Sequence, residues 1–129
     1  MKRLAAVLLI LIILFSFTGC HRISLNSKAN ATLNFHMYDT DVTQTLTEEE
    51  TRKVKEYLTS AVYNPGIGGC PYYDEVNISF GKEVFLVACD DCGTVWYLRH
   101  GYYELSEEGR SYIRSLFKAY VGFFPHPIK

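Results

Sequence analysis

The first twenty residues constrain this chain more than any other stretch. Lys2 and Arg3 form a short positive head, and residues 4 to 17 carry no charge and almost no polar atom. A basic head followed by an apolar run of this length is the layout of an export signal. About 14 such residues, or about 16 if the run is stretched to Gly19, fall short of the roughly 20 needed to cross the hydrocarbon of a bilayer. Cleavage is therefore favoured over an uncleaved transmembrane anchor, and either way the folded part works outside the cytoplasm. What must fold is the remainder of a 129-residue chain, enough for one domain with a real core and too little for two.

The apolar run ends in Phe17-Thr18-Gly19-Cys20, small residues directly before a cysteine. This resembles the bacterial lipoprotein signal. The resemblance implies that residues 1–19 are removed, that Cys20 carries a diacylglycerol on its sulfur, and that the mature protein is held on the membrane through Cys20. More than one acyl chain makes such attachment stable. Residues 20–30 then read as the lipidated cysteine and a polar tether, and residues 31–129 as the domain.

Of the 13 Lys plus Arg, two lie in the head, whereas all 14 Asp plus Glu lie beyond Cys20, so the mature part has a net charge of −3. It contains no basic tract. Nucleic acid is excluded as an expected partner, because binding its backbone needs several phosphate-neutralising cations.

Along the domain, hydrophobic periodicity sets the elements. Ala31, Leu33, Phe35 and Met37 alternate with Thr32, Asn34, His36 and Tyr38, the period of a half-buried strand. Residues 39–45 are polar and read as a loop. Thr47 and Glu50 have the spacing of a capping box, and Val54, Tyr57, Leu58, Ala61 and Val62 follow at helical spacing. Asn64-Pro65-Gly66 and Gly68-Gly69-Cys70-Pro71 form a connector that lacks the lysine and hydroxyl of a phosphate loop. Residues 76–80, 83–88, 94–98 and 102–103 read as a meander of short strands with turns at Gly81-Lys82, Cys89 to Gly93 and Arg99 to Gly101. A last helix starts at Ser106 as N-cap, buries Tyr112, Ile113, Leu116, Phe117 and Tyr120, and ends near Gly122. The expected fold is α+β, in the order β-α-β-β-β(-β)-α, with a mostly antiparallel sheet and both helices on one face.

Chemistry concentrates in the cysteines. With Cys20 assigned to lipid, Cys70, Cys89 and Cys92 remain, an odd number in a setting that favours disulfides. A structural bridge from Cys70 to Cys89 or Cys92 is preferred to a Cys89–Cys92 bridge, since closing so short a loop restricts the unfolded chain little. Two alternatives stay open. Cys89-x-x-Cys92 has the spacing of a thiol-disulfide oxidoreductase, although its two acidic spacer residues oppose a depressed thiol pKa. Cys70, Cys89 and Cys92 with His126, or with the competing His100, have the donor types of a structural zinc site. No cofactor is expected otherwise.

Other catalytic arrangements are not apparent. Asp90 and Asp91 are adjacent, Ser106 and Ser111 lack a nucleophile elbow, and His36, His100 and His126 are scattered. The chain reads as a non-catalytic binding or structural module. Its aromatic residues supply the candidate patch: strand alternation puts Trp96 or Tyr97, and Tyr102 or Tyr103, on the face away from the helices, with Arg99 and His100 beside them. An envelope or secreted protein is the partner that such a patch suits.

Overall fold

The computed structural model describes residues 2–7, 21–66 and 69–125; Cys20 and His126 lie outside the described residues. Residues 2–7 are helical, and no helix among the described residues is long and apolar enough to cross a membrane. The domain is α+β, with the elements β1 (Thr32–Met37), β2 (Thr40–Thr45), α1 (Glu48–Thr59), β3 (Val62–Asn64), β4 (Val76–Phe80), β5 (Glu83–Val87), β6 (Thr94–Tyr97), β7 (Gly101–Glu104) and α2 (Glu107–Val121). The strands form one open sheet of order β2-β1-β4-β5-β6-β7-β3, and every neighbouring pair is antiparallel.

Register puts one apolar row across the sheet. Leu33 lies opposite Ile78, Ile78 opposite Phe85, and Phe85 opposite Tyr97. These side chains share a single buried cluster with Val54 and Leu58 of α1 and Ile113, Leu116 and Phe117 of α2. Both helices therefore cover the same face, and period-2 and period-3.6 stripes are buried against one another. α1 starts as its sequence predicts: the Thr47 hydroxyl accepts from the Glu50 N–H at 3.2 Å, and the Glu50 carboxylate accepts from the Thr47 N–H at 2.9 Å. At the start of α2 the Ser106 hydroxyl accepts from the Gly109 N–H at 3.0 Å, a single-armed cap. Gly122 ends α2 at φ 97°, a left-handed conformation that glycine adopts without steric cost. The helices meet through the Tyr57 and Tyr112 rings, 5.5 Å apart, and through the Tyr120 hydroxyl, which donates to Glu50.

Three segments differ from their sequence reading. Residues 40–45 are an edge strand rather than loop: all six pair with β1, with Thr40, Val42 and Gln44 half-buried and Asp41, Thr43 and Thr45 exposed; a Thr-rich polar strand gives little apolar alternation to detect. α1 stops at Thr59, Ala61 is buried, and Val62 belongs to β3 with its side chain exposed, so it is not part of the helical stripe. The segment read as a tether packs on the fold. Ile23 is 3% exposed, Leu25 is partly buried against the core, the His21 ring stacks on Tyr63 at 4.2 Å, and the Ser27 carbonyl accepts from Lys55 Nζ. Two apolar side chains at alternate positions are enough to hold this mainly polar strap.

Candidate functional site

The face of the sheet turned away from the helices has two halves. Its β2-β1-β4 half is polar. Asn34 Nδ2 donates to Asn77 Oδ1 at 2.9 Å, and His36 Nδ1 bonds the Asp41 carboxylate. The Thr43 hydroxyl lies 3.4 Å from His36 Nε2. His36, Asp41 and Thr43 have the residue types of a proton relay, but they are direct and diagonal neighbours on an exposed strand pair, which is ordinary cross-strand pairing of polar groups.

The β5-β6-β7 half is aromatic. Trp96 lies opposite Leu86 on one side and Tyr102 on the other. The Trp96 and Tyr102 rings stack with centroids 5.4 Å apart and 29° between planes, both half-buried. Tyr72 closes the group, with its ring 5.5 Å from Tyr102 and 6.0 Å from Trp96. The Tyr72 hydroxyl bonds Thr94 Oγ1 at 2.6 Å; burial is the main cause that pushes its pKa up, and the bond to Thr94 opposes that. Leu86 and Ala88 are buried on this face, outside the core cluster under the helices.

Alternation now decides the candidate patch. Trp96 and Tyr102 face outward. Tyr97 and Tyr103 belong to the core: Tyr97 stacks on Phe85 at 4.4 Å and donates to the Glu83 carboxylate, and burial with that carboxylate pushes its hydroxyl pKa up. Arg99 and His100 are exposed in the β6–β7 turn, where Arg99 adopts φ 73° and the His100 ring stacks on Tyr97 at 4.0 Å. The six residues of the sequence-based patch thus divide among an outward pair, an inward pair and a turn. Tyr72 was missed. Its signal was an aromatic residue, Tyr72, directly after Pro71 in a loop otherwise rich in glycine.

A disulfide holds the loop that carries Tyr72. Cys70 is bonded to Cys92 across a sequence separation of 22, with Cα atoms 6.5 Å apart. Beside the bond, the Pro71 carbonyl accepts from the Cys89 N–H at 3.0 Å. The 89–93 turn is fastened in its own right: the Asp90 carboxylate accepts from the Cys92 N–H, Arg110 Nη1 donates to the Asp91 carbonyl at 2.9 Å, and Arg114 reaches the Asp91 carboxylate and the Asp90 carbonyl. Gly93 makes the arginine's approach feasible, since at φ +69° a Cβ there would lie 2.6 Å from Arg110 Cδ. Loop, turn and α2 therefore form one braced unit at the edge of the aromatic half.

This pairing sets the other thiol apart. Cys89 is free and fully buried in the core under the helices, and its thiol contacts the Val87 carbonyl at 3.6 Å. Burial, and secondarily the Asp90 charge, push it up to about 12. A thiol held protonated is a poor nucleophile, and Cys89 and Cys92 do not form the exchanging pair that the oxidoreductase reading requires. Among the described residues the zinc set is not assembled either. Donor atoms of Cys70, Asp90 and Cys92 lie within 4.8 Å of one another, but the two sulfurs are bonded to each other and are not thiolates. His100 sits at the opposite end of β6 from Cys92.

Searches of known protein families, of curated proteins and of solved structures find no match to the chain.

Proposed function

We propose that this chain is an extracytoplasmic binding module, lipid-anchored through Cys20, that engages an envelope or secreted protein with the outer face of its sheet. The observation that carries the reading is the half-buried Trp96–Tyr102 stack, set opposite the helices and braced by the disulfide-held Tyr72 loop. Aromatic side chains lose little conformational entropy on contact, and those already fixed by neighbours lose less. The polar half of the same face supplies the hydrogen-bonding surroundings of such a contact through Asn34, Asn77 and Ser79. The disulfide is structural in this reading.

A photo-crosslinking side chain at the exposed Glu104, beside the stack, tests the assignment in cells. A discrete crosslinked species that disappears with Trp96→Ala or Tyr102→Ala, while the far-UV circular dichroism of the purified variant is unchanged, is the expected result. An undiminished crosslink in both variants removes the stack from the interface. Cys20→Ser, which leaves no sulfur for the lipid, is expected to release the protein from the membrane fraction.

A further inference from the structure

We infer that the β3 edge of the domain, with His21 and Arg22, rests on the phospholipid headgroups of the bilayer, an inference that depends on the lipid anchor at Cys20 proposed above. A lipoprotein with a flexible tether has no defined orientation. Here the strap removes that freedom. Consecutive Cα atoms are about 3.8 Å apart, so the residue after the anchor is within one such step of it, and that residue, His21, is stacked on Tyr63 of β3. Two residues further on, Ile23 is buried in the core. The acyl chains of Cys20 must lie in the hydrocarbon, and the headgroup zone adds only about 5–8 Å per leaflet. The end of the domain that holds His21 cannot leave the interface without pulling Ile23 out of the core.

The chemistry of that end suits the headgroup layer. His21, Arg22, Glu56, Thr59, Val62 and Tyr63 border an open recess of about 650 Å³. Arg22 is exposed and makes no ion pair among the described residues, which leaves its guanidinium for lipid phosphate. Val62 is 67% exposed on one face of β3, and the amphipathic Tyr63, which points to the other face, lines the same recess; both are side chains that gain from a boundary between water and hydrocarbon. β3 is also a sheet edge, paired only with β7, and a membrane surface would shield its free backbone groups from pairing with another chain. The opposite edge points outward. Six strand spacings of about 4.8 Å separate β2 from β3 by about 29 Å, which places the β1–β2 turn and its exposed Tyr38 clear of the headgroups.

Because Trp96 is the single tryptophan, a Trp96→Phe background allows reporters elsewhere. The full chain, lipidated in cells and purified, is reconstituted in phosphatidylcholine vesicles that carry a nitroxide on a fraction of their headgroups. The mass of the N-terminal peptide is measured on the same sample. Val62→Trp is expected to lose most of its emission, and Thr59→Trp on the same recess to follow it, while Tyr38→Trp keeps its emission. Equal quenching at 38 and 62, quenching at 38 alone, or no quenching at either position with acylated Cys20 present would overturn the orientation and leave the anchor standing. Val62 emission that responds to protein concentration and not to nitroxide would assign the β3 edge to a second copy of the chain and overturn the inference as well. An unacylated N-terminal peptide would overturn both the anchor and the orientation.

Discussion

Cutting the Cys70–Cys92 bond by the double substitution Cys70→Ser/Cys92→Ser separates a structural staple from a device with another purpose. In the chain-entropy treatment, a loop of the observed separation of 22 residues restricts the unfolded chain by about 3.4 kcal/mol at 25 °C. A Cys89–Cys92 bridge, closing a loop of only about 4 residues, would contribute about 1.9 kcal/mol on the same scale. Unfolding entropies near 2.1 cal/mol/K per residue, over the roughly 110 residues from 21 to 129, convert the larger figure into a fall of about 15 °C in Tm. The variant is still expected to fold, because the core under the helices does not involve either sulfur and the Cys89 N–H to Pro71 and Tyr72 to Thr94 bonds remain.

The assay is urea unfolding of residues 21–129 made in an oxidising compartment, followed by Trp96 fluorescence and far-UV circular dichroism. Wild type in strong reductant should match the double variant, and either single variant should match it too, since half a bridge restrains nothing. Native Trp96 emission should shift to the red as the Tyr72 loop loosens. Alkylation after unfolding without reductant should label Cys89 alone. A loss below about 1 kcal/mol with the bridge mapped as Cys70–Cys92 would refute the entropic reasoning, and label on Cys70 or Cys92 instead of Cys89 would refute the pairing.

The buried thiol makes a pH prediction. From the ordinary value of 9.0 upward the unfolded Cys89 loses its proton, while the folded one keeps it to about 12. The folded state then binds more protons, so this contribution to stability is complete below pH 9 and falls as pH rises through that window; the urea midpoint of wild type should drop more steeply there than that of Cys89→Ala, and parallel curves would contradict it. Phe35→Ala, which empties a fully buried ring position under the helices, should cost roughly 3–5 kcal/mol in the same urea assay. Thr47→Ala breaks one arm of the capping box and should cost about 1 kcal/mol, a result that Thr47→Ser should largely restore.

Strong periodicity made most of the fold legible. Leu33 and Phe35, then Val76, Ile78 and Phe80, announce strands through apolar alternation, and Thr47 with Glu50 marks the start of a helix; all of these elements are in place. The segments that escaped, β2 and β3, lack that signal. β2 is a Thr-rich edge strand, and β3 is three residues whose first side chain points to solvent. The strap escaped for a related reason, since Ile23 and Leu25 are too few to stand out among polar neighbours although their burial fixes where the chain enters the domain.

The cysteines show how far parity could have been carried. Loop entropy does not choose between Cys70–Cys89 and Cys70–Cys92, because separations of 19 and 22 residues differ by about 0.1–0.2 kcal/mol. Side-chain direction does choose. Phe85 and Val87 face the helices, and extending the same alternation by two residues carries Cys89 inward, where it is buried among apolar side chains. The Tyr72 loop crosses the other face, on which Thr94, Trp96 and Tyr102 lie. A thiol committed to the helix side cannot meet a loop on the outer side of the same sheet, and only Cys92, carried past the end of β5 by the 89–93 turn, is free to do so. The feature that supplies the structural bridge also parts Cys89 from Cys92, which is why the CxxC spacing in this chain marks a turn between strands and not a bonded pair.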